Sequence, residues 1–363
     1  MSPITYAIAG FSLLAALDRL FGGKLGLGSE FARGFQMLGG MALSMIGIIV
    51  ISPLLARLLE PCFDRIYRVL KIDPSVIPAT LFANDMGGAP LSAEVARDPA
   101  IGRFNGLVVS SMMGCTLSFS IPVSMEIVKK QARRSMLLGY LCGIVTIPVG
   151  CFFAGLLLRL PLAALAVDLI PLLIFGLIIV AGLLFCPGAA VKAFEVLGWI
   201  IKALITAGLI LGILRFLLGI ELVKGLTPLE DGAAVCVNAA VVMTGAFPMV
   251  KLLSVLLNKP LKKLGGLMGV GETAALGLIA SLATAMSTYE MMNEMDEKGV
   301  MVNGAFLVSA GFTFAGHLAF TMAFDAAYVT QVIAGKLISG AAALALCLLL
   351  YKKLSGKSKA EMR

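Results

Sequence analysis

Charged residues are scarce in this sequence of 363 residues. They make up 14% of the chain, whereas hydrophobic residues make up 59% and the mean hydropathy is +0.99. Soluble domains are about a quarter charged, so this composition excludes an ordinary soluble domain. The runs 135–158 and 169–190 contain no charged residue, and a helix needs roughly 20 apolar residues to cross a bilayer. The sequence therefore predicts an all-α polytopic membrane protein.

Patterns for metal binding and hydrolysis are also missing. A single histidine, His317, excludes a histidine-rich metal site, and neither H-E-x-x-H nor G-x-S-x-G occurs. The seven cysteines have no pair closer than nine positions, which disfavours a C-x-x-C site and a disulfide framework. We therefore expect no enzyme, no metal and no cofactor.

The net charge of +8 could suggest nucleic acid, but the basic residues lie in short loops between apolar runs. That distribution reports membrane orientation and predicts no nucleic-acid partner. The first run lacks a basic leader and a cleavage site, so it is interpreted as a retained helix. Nine runs are predicted to span the bilayer: 4–21, 36–59, 104–128, 135–158, 162–186, 196–220, 232–257, 300–323 and 327–351.

Two further apolar stretches, 76–96 and 270–292, do not resemble uninterrupted helices. The first contains Pro78, Gly87, Gly88 and Pro90. Irregular backbone at membrane depth survives only where protein or a wet cavity surrounds it. Both stretches are predicted to be re-entrant hairpins, which gives up to 11 apolar segments.

Three basic clusters set the predicted orientation: 129–134, 259–263 and 352–359. Placing all three in the cytoplasm gives a consistent path if both hairpins re-enter and leave on one side, with the N-terminus outside and the C-terminus inside. The basic segment from Arg65 to Lys71 then lies outside and needs an explanation.

An internal repeat explains it. Pro53, Asn105 and Gly139 and their flanking residues recur at Pro248, Asn303 and Gly335, always 195–198 residues later. The span count makes the copies inverted, so one of the two matching basic segments must face outside. We divide the chain into a first repeat (1–160), a linking helix (161–190), a second repeat (191–351) and a basic tail (352–363). Inverted repeats with broken helices are typical of secondary transporters.

Short motifs throughout the chain resemble one known family. They are A-L-D-R-L at 16–20, N-D-M-G-G at 84–88, S-S-M-M-G at 110–114, F-S-I-P-V at 119–123, G-I-V-T-I-P-V-G-C at 143–151, G-A-F-P-M-V at 245–250 and G-K-L-I at 335–338. In order and spacing they are similar to the EutH family of ethanolamine-utilisation membrane proteins. The resemblance implies an inner-membrane protein that brings ethanolamine into bacteria, with a cobalamin-dependent lyase acting on it behind the membrane.

Two departures from the family pattern fall where substrate is expected. Gly316 stands before His317, where the family is expected to carry an acid, and residues 284–287 read T-A-M-S where some members carry amides. A related small amino alcohol therefore stays open as the substrate.

Ethanolamine is a cation with a hydroxyl group, so its site needs a carboxylate or carbonyl dipoles together with hydroxyl or amide groups. Asp85 is the main candidate for the ammonium, because acids at membrane depth mark ion or substrate paths; a helix cap is its structural alternative. Lys336 lies inside the last span and is expected to pair with a carboxylate or to reach for the interface. The predicted substrate-binding residues are Asn84, Asp85, Gly87, Gly88, Ser111, Ser281, Thr284, Glu290, Asn303, Ser309 and His317.

The functional prediction is a transporter or facilitator for ethanolamine or a related small amine, with its site between the repeats. A gated pore for a small polar solute is the alternative, and an intramembrane enzyme is the least supported. The sequence leaves the coupling ion open, and fold analogy alone suggests a homo-oligomer.

Overall fold

The computed structural model describes residues 3–360, except the side chains of residues 66, 257–259, 261, 262, 264 and 354–360. The predicted basic tail, 352–363, therefore ends outside the described residues. Residues 3–360 form helices and turns, with no strand among them. The helices are α1 (Pro3–Leu20), α2 (Leu27–Gln36), α3 (Leu38–Leu70), α4 (Val76–Leu81), α5 (Gly88–Val95), α6 (Pro99–Phe104), α7 (Ile121–Ile127), α8 (Lys130–Leu157), α9 (Leu162–Phe185), α10 (Pro187–Leu218), α11 (Leu229–Met268), α12 (Glu272–Ala283), α13 (Ala285–Met292), α14 (Glu297–Ala310), α15 (Gly316–Asp325) and α16 (Val329–Ala360).

Seven helical stretches of the described chain are long and apolar enough to cross a membrane, as judged by length and composition. An α-helical membrane protein is therefore confirmed, with fewer such stretches than the nine predicted spans. The predicted span 4–21 forms α1 but is not among the seven. The seven are Leu27–Leu70, Pro99–Ile127, Lys130–Leu157, Leu162–Phe185, Pro187–Leu218, Leu229–Leu256 and Gly316–Lys353.

The predicted span 300–323 is not one helix. Helix α14 ends at Ala310, and α15 begins only at Gly316. In the interruption, Phe312 adopts a positive φ of 59°. The backbone amides of Phe312 and Phe314 donate to the carbonyls of Ser281 and Leu282, each at 2.9 Å. These hydrogen bonds satisfy carbonyls at the end of α12 that lack helical partners, and they stabilise the interruption.

Both stretches expected to be broken are interrupted. Helices α4 and α5 are separated by extended residues and a 3₁₀ turn, Asn84–Met86. Helices α12 and α13 are separated at Thr284, which is extended (φ −155°, ψ 137°). At 1.5 Å per residue, the six residues of α4 rise only about 9 Å, far less than a bilayer. In each of the two helix pairs, α4–α5 and α12–α13, the break between the short helices lies beside longer helices.

The centre of the molecule is formed by α8, α14 and α16, with a π-helical stretch (Asn105–Gly114 and Thr116–Ser120) between α6 and α7 beside them. Glycines on α8 and α16 allow these two helices to approach each other closely. A Cβ atom added to Gly150 of α8 would collide with the carbonyl oxygen of Gly335 on α16. Helices in membranes commonly pack through such small residues.

We expect Gly150→Ala to destabilise the protein, because backbone would have to move away from the added methyl group. Gly198→Ala on α10 is the matched control, since no atom lies within 4 Å of the Cβ position there. Thermal unfolding in detergent should show a midpoint lowered by several degrees for Gly150→Ala and not for the control. Equal midpoints would contradict the tight α8–α16 contact.

Candidate functional site

A cavity of about 380 Å³ lies where the two interrupted helix pairs approach each other. Its walls come from α2 and α3, the turn after α4, the π-helical stretch, α11, the break between α12 and α13, and the segment around α15. Most of the lining is apolar, with methionine and phenylalanine side chains. The polar lining residues are Arg33, Ser44, Asp85, Cys115, Thr284 and His317.

The Asp85 carboxyl belongs to the turn between α4 and α5. Gly87 follows with φ +116°, and the amide of Gly88 donates to the Ala83 carbonyl at 2.8 Å. A side chain on Gly87 would be strained at this φ. The turn holds Asp85 half-buried at the cavity wall, and it has no ion-pair partner within 4.0 Å among the described residues.

Serines of the π-helical stretch satisfy the open backbone of this turn. Ser110 Oγ donates to the Phe82 carbonyl at 2.6 Å, and the Ala83 amide donates to Ser118 Oγ at 3.0 Å. A Cβ atom on Gly88 would collide with Ser110 Oγ. The predicted glycines thus shape the turn, and neither lines the cavity.

The second break, between α12 and α13, contributes Thr284 to the cavity wall. His317 lies just after the interruption between α14 and α15, which is hydrogen-bonded to the end of α12. Thr284 is half-buried, and its Oγ1 accepts a long hydrogen bond, 3.4 Å, from the Met286 amide. His317 is 3% exposed and its Nδ1 has no hydrogen-bond partner in the described chain. Its ring centroid lies 5.2 Å from that of Phe312.

The cavity brings together three of the predicted residues, Asp85, Thr284 and His317. Asn84 is fully buried next to Asp85, and neither its side-chain oxygen nor its nitrogen finds a partner in residues 3–360. Buried amide groups usually have hydrogen-bond partners, so the Asn84 side chain is free to bond to a polar group of a ligand. Asn84 does not line the cavity, but because it lies next to Asp85 we retain it as a candidate residue of the site.

The other predicted polar residues lie away from the cavity. Ser281 Oγ donates to Leu278 O, Ser309 Oγ pairs with Ser339 Oγ, and Asn303 Nδ2 donates to Ala274 O, each within 2.9 Å. Glu290 is exposed on α13. The hydroxyl of Ser111 donates to Val108 O within its own helix.

Lys336 differs from expectation in a way that concerns the site. It is 1% exposed, so it does not reach for the interface, and no carboxylate of the described chain lies within 4.0 Å of Nζ. Instead, Nζ donates to the carbonyl of Ser111 at 2.7 Å. The predicted carboxylate pair is therefore replaced by a carbonyl contact.

Sequence reasoning missed two polar residues. Arg33 on α2 lines the cavity, with Cζ 4.6 Å from the centroid of the Phe247 ring. Asp168 on α9 is 2% exposed, and its carboxylate oxygens have no partner among the described residues. A lone acid in an otherwise apolar run was the available signal for Asp168. Arg33 offered none, because residue 33 lies outside every predicted span.

Thr284→Cys should react with a small thiol reagent and Ser281→Cys should not, because position 284 faces the cavity and position 281 is fully buried. Both variants belong in a background without the seven native cysteines. Mass spectrometry of the labelled protein measures the difference. Equal labelling would contradict the placement of the cavity.

Comparison with known proteins identifies one family that matches the sequence. The family described as "Ethanolamine utilisation protein, EutH" matches residues 2–350. A relative from Listeria monocytogenes, named probable ethanolamine permease EutH, is 37% identical, with 99% of this chain and 96% of the relative aligned. Relatives of the same name from Salmonella typhimurium and Escherichia coli are 37% and 36% identical, each over 96% of this chain and 95% of the relative. No solved structure matches the chain.

Proposed function

The chain belongs to the EutH family, whose named members are permeases and not enzymes, and we propose that it carries ethanolamine or a closely related small amino alcohol across the bacterial inner membrane. The substrate binds in the cavity between the two interrupted helix pairs. The observation that carries the proposal is the single carboxylate, Asp85, on the wall of an otherwise largely apolar cavity.

Asp85 supplies what an ammonium group needs. Hydrogen bonds between ionised groups are roughly twice as strong as neutral ones, and they strengthen in surroundings that exclude water. Asp85 is the one acid among the described lining residues. The phenyl rings of Phe119, Phe312 and Phe320 on the same walls add faces that attract a cation.

The hydroxyl group of the substrate has its own candidates. Thr284 Oγ1 can donate or accept, His317 Nδ1 is without a partner in the described chain, and Asn84 has an unpaired amide behind Asp85. The site thus offers a partner for the charged ammonium end of the substrate and partners for its uncharged hydroxyl end. This division favours an amino alcohol over a simple alkylamine, because an alkylamine would leave these groups unpaired.

We further propose that the two repeats are inverted and that α4–α5 and α12–α13 re-enter the membrane. The support is a shared arrangement around each break. Carbonyls at the end of α4 and α12 accept hydrogen bonds from a segment further along the chain, from Ser110 in the first copy and from Phe312 in the second. Helices α3 and α11, with 33 and 40 residues, precede the two breaks in the same way.

In this arrangement the N-terminus lies outside and the C-terminus in the cytoplasm. Labelling of Arg68→Cys and Lys263→Cys, at matching ends of α3 and α11, tests it in a background without the exposed Cys62 and Cys186. We expect a membrane-impermeant reagent to reach position 68 in intact cells and position 263 only after lysis. Labelling of both from one side would refute the inversion.

Uptake of labelled ethanolamine into proteoliposomes tests the function. We expect saturable uptake that falls at least about tenfold in Asp85→Asn, since one lost ion pair worth about 1.4 kcal/mol changes binding tenfold. Asp325→Asn is the matched control, because Asp325 pairs with Arg103 at 2.7 Å and does not line the cavity. Unchanged uptake in Asp85→Asn would remove this residue from the site.

The same assay separates a transporter from a gated pore. A transporter exchanges labelled for unlabelled substrate across the membrane faster than it performs net uptake, and its rate saturates. A pore lined by the same residues would show neither property.

A further inference from the structure

We propose that the face of the Phe247 ring is a second site for the ammonium group of the substrate, visited on the way to Asp85, and that the Arg33 guanidinium occupies this face when no substrate is there. The inference rests on the proposed function and deepens it. It names the entrance to the cavity and the side chain that closes it.

A second cavity, of about 310 Å³, adjoins the cavity that contains Asp85. We call it the vestibule and the Asp85 cavity the substrate cavity. Four residues line both spaces: Arg33, Phe247, Ala283 and Thr284. These residues therefore form a wall with one cavity on each side. The polar residues that line only the vestibule are Glu30, Lys251, Ser254 and Ser287.

Within this wall, a cation lies over an aromatic ring. Arg33 Cζ is 4.6 Å from the centroid of the Phe247 ring, and a cation within about 6 Å of such a centroid is attracted by the ring face. The ring lines both cavities, so a cation on it can be reached from either side. The guanidinium thus marks a cation site on the path between the cavities and stands in for an ammonium group.

The backbone that carries Arg33 is held in place on both sides of it. A Cβ atom added to Gly34 would lie 2.6 Å from the Thr244 nitrogen, so α2 packs closely against α11 there. At the start of α2, the Asp18 carboxylate accepts a hydrogen bond from the Leu27 amide at 2.8 Å. The Arg33 side chain itself is 43% exposed. The guanidinium can therefore leave the ring by a change of side-chain rotamer while α2 stays where it is.

Glu30 gives the guanidinium a partner on the vestibule side. Arg33 Nη1 is 3.2 Å from Glu30 Oε2, and Lys251 Nζ is 3.9 Å from Glu30 Oε1. Glu30 lines the vestibule and not the substrate cavity. An ion pair with a side chain this exposed holds its members weakly. The contact with Glu30 therefore compensates the charge of Arg33 without fixing the guanidinium over the ring.

The two cations occupy the ring in turn, because like charges at one place repel. An ammonium group that enters from the vestibule takes the ring face as the guanidinium withdraws, and it then moves on to Asp85. Thr284 lines both cavities, so its hydroxyl can bond to the substrate hydroxyl on either side of the wall. The guanidinium then returns to the ring and closes the entrance.

The native thiol of Cys115 reports on this entrance, because Cys115 lines the substrate cavity and not the vestibule. The test uses full-length protein in which Cys115 is the one cysteine retained. The probe is 2-aminoethyl methanethiosulfonate, which carries an ammonium group on a two-carbon chain, and mass spectrometry measures its rate of reaction. We expect Arg33→Ala to react about tenfold faster than the Arg33 protein, since the cation–π contact and the ion pair that close the entrance are both lost.

Arg215→Ala is the matched control. Arg215 also has an acidic partner, Glu221 at 3.7 Å, and it lines neither cavity, so its removal should leave the rate unchanged. Arg33→Gln covers the case in which Arg33→Ala does not fold, and it should also react faster because it lacks the charge. Arg33→Lys keeps a cation for the ring and should restore a slow reaction.

Uptake into proteoliposomes tests the ring itself. Phe247→Leu keeps an apolar side chain but has no aromatic face, and we expect ethanolamine uptake at least about fivefold slower, the loss of one cation–π contact. Phe247→Tyr retains the face and should transport at close to the wild-type rate. Equal rates for Phe247→Leu and the wild type would overturn the ammonium site on the ring.

The remaining outcomes separate this inference from the proposed function. Equal labelling of Cys115 with Arg33, Ala or Gln at position 33 would overturn the entrance and leave the transport function standing. Ethanolamine should slow the labelling in Arg33→Ala by filling the substrate cavity. Labelling that ethanolamine does not slow would contradict the proposed function, and this inference with it.

Discussion

Unwound backbone inside a membrane must find its hydrogen-bond partners within the protein, and the rest of this structure depends on that constraint. The chain leaves the helical conformation at three places near its centre: after α4, after α12 and after α14. Several of the opened backbone groups have a specific partner elsewhere in the chain. At the first break, Ser110 and Ser118 form hydrogen bonds with the open backbone groups. At the second, the backbone amides of residues 312 and 314 donate to the open carbonyls of α12, and these bonds also satisfy amides of the third break.

These partners fix the position of the cavity and of its charges. Because the breaks are tied to neighbouring helices, the side chains that they carry point into one shared space. Asp85 comes from the first break, Thr284 from the second and His317 from the third. A helix that continued through any of these positions would spread the polar groups along its length. Interruption of the backbone is thus what gathers a carboxylate, a hydroxyl and an imidazole at one place.

Much of this was predictable from sequence, and the failures have physical causes. The membrane class followed from composition, and the first break was signalled by glycines and prolines around Asp85. The break at 311–315 was missed because no proline marks it. It is stabilised by hydrogen bonds to the Ser281 and Leu282 carbonyls, which are distant in sequence. Glu290 was predicted as a site residue from its position in the second broken stretch, 270–292, but its side chain is exposed on α13. The contact between Lys336 and the Ser111 carbonyl depends on helix packing, which spacing alone does not report.

We propose that the space between the interrupted helices holds a small ammonium ion at Asp85. The most direct measurement is an experimental structure determined by electron cryomicroscopy with and without ethanolamine. We expect ligand density bounded by Asp85, Thr284 and His317 that is lost without ethanolamine. Continuous helices through 76–96 and 270–292, or ligand density elsewhere with this space unchanged, would contradict it.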